Sequence, residues 1–448
     1  MTKLYRARWV LPISAAVIPD GAIVVEGDRI SAIGPYADLA VRFVEAATED
    51  FGEAAIIPGL INTHTHLELT VMRGFLEQQE SDFFAWLRKL TIARLEQLND
   101  DDLYVSASWG ISEAARAGIT CVGDASFSAL QSLKAVSDAG LRGIIYQESF
   151  GPDPKLVAEN FELLQNNVAA LRAVETPMVR AGVSPHAPYT VCGSQLEKIS
   201  SFAIGEKLPL MMHVAESAFE EMLMRDGSGP FAENFRKRGI EWTTPRMSSI
   251  RYLAEHGVLE TQPLLTHCIH VDDADLETIK QAAAGIAHCP KSNAKLGHGR
   301  APFAKFLQKG IAVGLGSDSM ASNNVCDILE EARFATLTAR SDEANEPSAE
   351  TALQSATVNG ARAMGISNVG FLEAGAQADF AVVGLDGIHQ QPSFDPYAAL
   401  IFSSSGRDVK ATVVAGREVF RDGHVTTIDE ERIAARVREI GEKLKRVG

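Results

Sequence analysis

Both ends of the chain carry short apolar runs that are rich in β-branched residues and interrupted by Pro, Gly and Asp. The runs are residues 9–13, 22–25 and 30–33 near the start, and 378–384, 409–415 and 418–420 near the end. Short runs bounded by turn-forming residues are typical of β-strands. We expect the two ends, residues 1–57 and 370–448, to combine into one small β-sandwich domain with a helix at its C-terminus.

The middle of the chain has a different pattern, in which short apolar runs alternate with longer segments of helical periodicity. The runs are residues 118–123, 143–148, 179–184, 208–213, 264–267, 285–288 and 311–316. Together with the run that precedes His64 they make about eight strands, and alternating strands and helices favour a parallel sheet. The pattern predicts an α/β fold, a closed (β/α)8 TIM barrel over residues 58–369.

Composition narrows the classes of partner. The chain has 448 residues, 46% of them hydrophobic, and a formal net charge of -16. A negatively charged protein surface disfavours binding to a nucleic-acid backbone or an anionic membrane. The sequence contains no run of about 18 apolar residues, so it predicts no membrane-spanning helix. The five cysteines are widely spaced and form no C-x-x-C motif, which favours free thiols and a cytoplasmic location.

The first candidate for chemistry is the pair His64 and His66, directly after the apolar segment 58–63. Alternate side chains of an extended strand point to the same face, so both imidazoles can reach one ion. Imidazole nitrogen is a good ligand for zinc or iron. An isolated H-x-H pair is a weak signal, so the interpretation needs support from elsewhere in the chain.

Other predicted strands also end in polar residues. His213 ends one run and is followed by Glu216, His267 ends another, and Asp318 follows a third. Catalytic groups of TIM barrels lie at the C-terminal ends of the strands. Structural alternatives are a buried, hydrogen-bonded His213 and a helix N-cap at Asp318. Of His267 and His270 we favour His267, because it closes the strand.

His186 and His288 end two further runs, and His298 lies in a loop next to glycines. We assign no role to His270, His288 or His298. Core packing explains one such strand-end residue easily, but it does not explain a whole series on successive strands. The joint placement therefore predicts a metal-dependent active site at one end of the barrel.

Several segments resemble the amidohydrolase superfamily. They are PGLINTHTH at 58–66, HVAE at 213–216, THCIH at 266–270, HCPKSNAKL at 288–296 and GSDSMASNN at 316–324. Within the superfamily they are similar to the branch of cytosine, guanine and adenosylhomocysteine/methylthioadenosine deaminases and triazine hydrolases. The resemblance extends over nearly the whole chain, including the β-rich flanks.

The resemblance implies site roles. His64, His66, His213 and Asp318 would hold one divalent metal ion per chain, zinc in preference to iron. His267 would lie beside the hydrolytic water together with Asp318. Relatives with two metals carry a carboxylated lysine on the fourth barrel strand, whereas residues 179–186 contain no lysine, which favours a mononuclear site.

The same resemblance makes Glu216 the proton shuttle and thereby predicts deamination. Protonated Glu216 would donate to the ring nitrogen beside the attacked carbon, and acid and base act at different stages.

The sequence indicates the residues that contact the substrate less clearly than it indicates the metal ligands. We expect His186 and the segment around Tyr189 to touch the substrate, and Trp86 either to stack on it or to fill the core. Adenosylhomocysteine-type deaminases carry an acidic residue just before that tryptophan, whereas this chain has Ala85, which argues against adenosylhomocysteine itself.

Two acidic residues are further candidates, because HLELT at 66–70 and YQESFG at 146–151 are similar to aminodeoxyfutalosine deaminases. On that comparison Glu68 and Glu148 bind substrate hydroxyls or amines. The alternative is a salt bridge to Arg73 or a neighbouring arginine, and we favour it more for Glu148 than for Glu68.

These features predict a metal-dependent deaminase that releases ammonia from a small purine-like heterocycle or nucleoside. The alternative on the same site is a triazine-type hydrolase of C–N or C–Cl bonds, which Glu216 disfavours because deamination needs a ring nitrogen to be protonated. A non-catalytic binding protein on this barrel is disfavoured because the complete metal-ligand set is present. The resemblance also implies a homo-oligomer.

Overall fold

The structure is a computed structural model that describes residues 2–340 and 346–446. Its strands are β1 Thr2–Val10, β2 Ile18–Glu26, β3 Arg29–Pro35, β4 Ala47–Asp50, β5 Ala54–Pro58, β6 Leu60–Thr65, β7 Ile119–Ser126, β8 Arg142–Ser149, β9 Val179–Pro185, β10 Met211–Val214, β11 Leu264–His267, β12 Gly285–His288, β13 Val313–Leu315, β14 Phe380–Gly384, β15 Val409–Val414, β16 Arg417–Arg421 and β17 His424–Val425.

The α-helices of the described residues lie mostly between the barrel strands. They are α1 Tyr36–Arg42, α2 Phe83–Gln97, α3 Asp100–Arg116, α4 Ala129–Ala139, α5 Val157–Arg172, α6 Gly193–Glu206, α7 Ala218–Asp226, α8 Gly229–Arg238, α9 Ser249–Glu255, α10 Asp273–Gln281, α11 Pro290–Lys295, α12 Phe303–Gln308, α13 Met320–Asn323, α14 Ile328–Ala339, α15 Ala349–Ser355, α16 Val358–Ala363, α17 Pro396–Ala398 and α18 Glu430–Lys445. Among the described residues, none of them is long and apolar enough to cross a membrane.

The strands β6 to β13 form the predicted barrel, an eight-stranded parallel sheet. The sheet closes because Leu315 of β13 pairs with Asn62 of β6, and Val183 of β9 forms a parallel bridge to Leu210 just before β10. Only Arg142 and Arg180 of these strands are not fully buried. Parallel strands that are covered on both faces read as continuous apolar runs, which is why the sequence pattern identified them.

Strands from the two ends of the chain form one nine-stranded sheet, which confirms that the flanks combine. The junction is the antiparallel pair of β5 and β14, and Tyr5 packs edge-on against Phe380 with ring centroids 5.0 Å apart. The predicted first strand, 9–13, instead begins at Thr2, because the polar residues of β1 find ion-pair partners at the surface. Arg6, for example, pairs with both Asp20 and Asp50. The domain limits at 57/58 and 369/370 remain predictions.

Two helices outside the regular barrel pattern cover the C-terminal end of the barrel. Phe84 of α2 and Phe231 of α8 approach with ring centroids 6.2 Å apart. The C-terminal helix α18 packs on α3, where Lys443 forms an ion pair with buried Asp102 at 2.9 Å. It therefore supports the barrel wall rather than the terminal sheet.

Candidate metal centre and active site

Four side chains converge where the barrel strands end. His64 and His66 lie at the end of β6, His213 lies in β10, and Asp318 follows β13. The Nε2 atoms of His66 and His213 are 3.2 Å apart, and Asp318 Oδ1 lies 3.5 Å from His64 Nε2 and 3.7 Å from His66 Nε2. All four are buried. The barrel thus brings the predicted metal ligands into one cluster.

The donor set fits a divalent cation. Among the described residues, His64 Nε2 is buried without a hydrogen-bond partner, and the Nε2 atoms of His66 and His213 face each other at 3.2 Å. A cation in the cluster would accept the lone pairs of all three imidazoles. Burial lowers the pKa of His64 to about 4, so its imidazole is neutral, as a ligand must be. Three imidazoles and one carboxylate suit zinc and similar ions.

Neighbouring groups hold these ligands in orientation. His213 Nδ1 donates to the carbonyl oxygen of His186 at 3.0 Å, which leaves Nε2 free for the cluster. Asp318 Oδ2 accepts from the Ser292 hydroxyl at 2.5 Å, and Oδ1 accepts from the Ser319 amide at 2.6 Å. Although burial opposes ionisation, the close approach of the His64 imidazole holds the pKa of Asp318 well below its usual range.

The backbone is strained where the strands turn toward the cluster. Ala215, His267 and Asp318 have φ angles of 52°, 74° and 57°, in the left-handed region that residues other than glycine rarely adopt. Such strain persists where the surrounding structure enforces it, and it gathers at functional sites. Ser319, not Asp318, provides the N-cap of α13, so the alternative interpretation of Asp318 does not describe this structure.

Glu216 lies beside the cluster, and several groups fix it. The Tyr189 hydroxyl donates to its Oε2 at 3.2 Å, and its Oε1 lies 3.6 Å from His267 Nε2 and 3.7 Å from His298 Nε2. Buried Glu220 accepts from the backbone amide of Glu216 at 3.1 Å and so holds the turn after β10. The carboxyl group is therefore presented to the same space as the metal ligands.

His267 is oriented by Asn293, whose Oδ1 lies 2.8 Å from its Nδ1. Its Nε2 atom is buried and lies 3.6 Å from Glu216 Oε1, and within the described part of the chain it has no hydrogen-bond partner. His270 lies further out, with Nε2 3.2 Å from the His298 carbonyl oxygen. Asn293 and His298 were not selected from the sequence. Asn293 belongs to the segment 288–296, whose resemblance was noted without a role for that residue.

The cluster forms the floor of a cavity of about 970 Å³. His186, Glu148, Glu68 and Trp86, all expected to contact substrate, line it. Trp86 is also 95% buried, stacks on Phe83 and belongs to an apolar cluster, so it fills the core, and its stacking on substrate stays a prediction.

The two acidic residues of the cavity differ in their partners. Glu68 accepts two hydrogen bonds from Arg94, at 2.9 and 3.0 Å, and further bonds from the backbone amides of Phe127 and Ser128. The salt bridge expected for Glu148 is thus found at Glu68, with Arg94 in place of Arg73. Glu148 has a buried Oε1 that accepts no hydrogen bond from any residue the structure describes, and burial raises the pKa of its carboxyl group to about 7.

Comparison with known proteins identifies the family to which the chain belongs. The sequence model of the amidohydrolase family matches residues 55–419, and a model of the bacterial imidazolonepropionase-like composite domain matches residues 21–43. The chain is 33% identical over 427 residues to a 5-methylthioadenosine/S-adenosylhomocysteine deaminase of Pelotomaculum thermopropionicum, a match that covers 94% of this chain and 93% of the relative.

Solved structures give the same answer for the fold. An adenosine deaminase from Xanthomonas campestris with bound zinc has a TM-score of 0.86 at 25% identity, covering 99% of this chain and 98% of that one. Helicobacter pylori aminofutalosine deaminase, in complex with methylthio-coformycin, has a TM-score of 0.79 at 22% identity, covering 93% of this chain and all of that one. The prediction of a hydrolase that acts on carbon–nitrogen bonds is confirmed, because the chain belongs to the amidohydrolase family.

Proposed function

We propose that this enzyme is a zinc-dependent deaminase that hydrolyses the exocyclic amine of an adenosine-type nucleoside and releases ammonia. The observation that carries the proposal is the position of Glu216, whose carboxyl group faces the ligand cluster between His267 and His298. A cluster of metal ligands alone suits many hydrolyses. A fixed carboxyl group beside it suits protonation of a ring nitrogen, which deamination of an aromatic ring requires.

Zinc is the preferred ion because the ligands are imidazole nitrogens and one carboxylate, although iron accepts the same set. The bound ion would supply an activated water nucleophile near neutral pH. The fourth barrel strand, β9, contains no lysine, which supports a single ion per chain.

The remaining chemistry belongs to the protein's own side chains. Asp318, held by Ser292 and the Ser319 amide, accepts the proton of the attacking water. Its low pKa keeps it ionised and able to do so. His267, fixed through Nδ1 by Asn293, presents its buried Nε2 to the attacking water and orients it.

Glu216 enters the step protonated and donates this proton to the ring nitrogen of the substrate. The Tyr189 hydroxyl holds Oε2, so Oε1 is the atom that faces the ring nitrogen. Asp318 passes the proton taken from the water to the departing amine, which leaves as ammonia, and the hydroxyl of the tetrahedral intermediate reprotonates Glu216 as the carbonyl forms.

Adenosine-type substrates are favoured by the names of the relatives, which are deaminases of adenosine derivatives. We assign recognition of the sugar hydroxyls or an amine to Glu148. No described residue donates a hydrogen bond to its carboxyl group, and a buried carboxyl without a donor is costly. Glu68 lines the same cavity, but Arg94 and two backbone amides already occupy it, and its contact with substrate stays a prediction.

Replacing Glu148 by Ala is expected to raise KM for the nucleoside by about 10- to 100-fold, the range for losing a buried hydrogen bond to a charged group. The change in kcat should be much smaller, because Glu148 contacts no reacting atom. Steady-state kinetics on the nucleoside and on the free base separate the two effects. The free base, which lacks the sugar, should show the same KM in wild type and variant. A loss on both substrates would contradict the assignment.

The function itself is tested by measuring ammonia release from the zinc-loaded enzyme against a panel of aminated heterocycles. The panel contains adenosine, methylthioadenosine, adenosylhomocysteine, aminodeoxyfutalosine, guanine and cytosine. Turnover of an adenosine derivative with a kcat/KM above about 10⁴ M⁻¹s⁻¹ would support the proposal. Chloride release from a chlorinated triazine, with no ammonia from the panel, would overturn it in favour of the dechlorinase alternative.

A further inference from the structure

His298 lies beside Glu216 but has no part in the chemistry assigned above. Its side chain is buried, and its Nε2 atom has no hydrogen-bond partner in the part of the chain that the structure describes. That atom lies 3.7 Å from Glu216 Oε1. A buried imidazole nitrogen that is left unpaired is costly, so its presence beside the proton shuttle indicates a task there.

The backbone around His298 holds the imidazole in place. The His298 amide donates to the carbonyl oxygen of Asn293 at 2.9 Å, and the His298 carbonyl oxygen lies 3.2 Å from His270 Nε2. Gly297 and Gly299, on either side, have φ angles of 70° and 106°, in the region that favours glycine. The turn that carries the imidazole is therefore fixed by its own sequence and by two neighbouring segments.

Phe83 covers the ring of His298. It is the first residue of α2 and packs edge-on against His298, with ring centroids 4.4 Å apart. The start of α2 is fixed as well, because the Asp82 carboxylate accepts hydrogen bonds from the amides of Phe84 and Ala85. Burial lowers the pKa of His298 below its usual value, so near neutral pH the imidazole is uncharged and carries a single N–H.

Two imidazoles approach Oε1 of Glu216, and they differ in what they can offer it. His267 Nε2 lies 3.6 Å away, but the Nδ1–H of His267 donates to Asn293 Oδ1 at 2.8 Å. With its proton on Nδ1, a neutral His267 has only a lone pair on Nε2. Within the described ranges, no hydrogen bond of the ring fixes the proton of His298 on Nδ1. Of the two imidazoles, His298 is therefore the one that can donate to Glu216.

We propose that His298 is a positioning residue for the proton shuttle: its Nε2–H holds Glu216 Oε1 and stabilises the carboxylate that remains after Glu216 has donated its proton. The inference rests on the proposed function, in which Glu216 protonates the substrate. Oε2 accepts from the Tyr189 hydroxyl at 3.2 Å, so each oxygen of the ionised group would have a donor. The separation of Nε2 and Oε1 is about 0.5 Å beyond a hydrogen bond, and hydrogen bonds to catalytic groups commonly tighten in the transition state.

The expected effect on the reaction follows from the charge that develops on Glu216. A hydrogen bond to an ionised acceptor is stronger than one to a neutral acceptor, so His298 stabilises the state after proton transfer more than the state before it. Only interactions that are stronger in the transition state than in the ground state accelerate the chemical step. His298 also does not line the cavity. It should therefore act on kcat and leave KM nearly unchanged.

The test compares two replacements of nearly equal size, His298→Gln and His298→Met. The Gln amide can donate close to the position of His298 Nε2, the Met thioether cannot, and both variants lose the ring that packs on Phe83. We expect H298M to lower kcat for ammonia release about 10- to 100-fold, the range for loss of a hydrogen bond to a charged group, with KM within about twofold of wild type. H298Q should keep at least about a third of the wild-type kcat, because it keeps the donor. Both variants should retain one metal ion per chain.

Three outcomes would overturn the inference. Equal kcat values for H298M and H298Q would show that packing, and not the donor, is responsible for the loss. A rise in KM with kcat unchanged would indicate a contact with substrate. Loss of the metal ion from either variant would make His298 part of the metal centre.

Histidine NMR of the zinc-loaded enzyme supplies a readout that needs no turnover. In a sample with isotope-labelled histidine, the signal of His298 is the one missing from the spectrum of H298Q. We expect its proton on Nε2, and we expect that N–H signal to shift in E216Q. If no nucleoside releases ammonia, the proposed function fails, whereas this shift would still support the contact between His298 and Glu216. A proton on Nδ1, or an Nε2–H signal that does not respond to E216Q, would overturn it.

Discussion

Replacement of Glu216 by Gln is expected to lower kcat by about a thousandfold, within the usual range for loss of a general acid–base. The amide keeps the size of the side chain and its hydrogen bond to Tyr189, but it cannot deliver a proton to the ring nitrogen. Steady-state ammonia release measures the loss, and metal analysis of the same sample should return one ion per chain.

Asp102→Asn provides the control. This carboxyl group is also buried, but it pairs with Lys443 on α18 and does not line the cavity. The control should lower stability and affect kcat far less than E216Q does. If E216Q retained more than about a tenth of the activity, or lost its metal, Glu216 would not be the proton shuttle.

The fold was largely predictable because parallel strands buried on both faces leave continuous apolar runs in the sequence. Run 143–148 corresponds to β8 (Arg142–Ser149), and runs 264–267 and 285–288 coincide with β11 and β12. The start of β1 was missed because its half-buried Arg6 and Arg8 are stabilised by acidic residues further along the chain, and such pairing leaves no local pattern.

The floor of the site was predictable for a related reason. Packing explains one histidine or aspartate that closes an apolar strand, but a series of them on successive strands indicates a functional site at that end of the barrel. The ion-pair partners of Glu68 and Glu148 could not be predicted from their positions in the sequence. Arg94 reaches Glu68 from α2, whereas Arg73 is closer in sequence but pairs with Glu113, and only the folded chain decides between them.

The part of the cavity wall that α2 and α8 form could not be predicted from the sequence either. Helix α8 is amphipathic, whereas apolar residues lie on most faces of α2, so the sequence pattern alone did not indicate which side chains face the cavity. The position of Phe84 and Phe231 depends on how the two helices approach above the barrel, and periodicity describes one helix at a time.

The second large effect is expected for His66→Ala, which should abolish both metal binding and activity. Loss of the His66 imidazole leaves three metal ligands. His213 Nε2 also loses its neighbouring ligand atom, His66 Nε2, which lies 3.2 Å away. Metal analysis after dialysis should fall from one ion per wild-type chain to below about a tenth of an ion. His66 lines the cavity, so its truncation adds space to a pocket and leaves no void in the core.

Thermal unfolding supplies a readout that does not depend on turnover. Free metal at a thousandfold excess over its Kd stabilises the folded wild type by about 4 kcal/mol, because the ion binds the native state alone. Chelator should therefore lower the Tm of wild type and leave that of H66A unchanged. His256→Ala serves as the control, since this histidine pairs with Glu197 away from the cluster and should preserve both metal content and the response to chelator.

H66A and E216Q together separate the two halves of the proposed site. H66A should lose metal and activity together, whereas E216Q should lose activity with metal retained. If H66A kept one ion per chain, the metal site could not be the cluster of His64, His66, His213 and Asp318. The orphaned Nε2 atoms of His64 and His267 would then need another explanation, because each is buried with its lone pair or proton directed into the cavity floor.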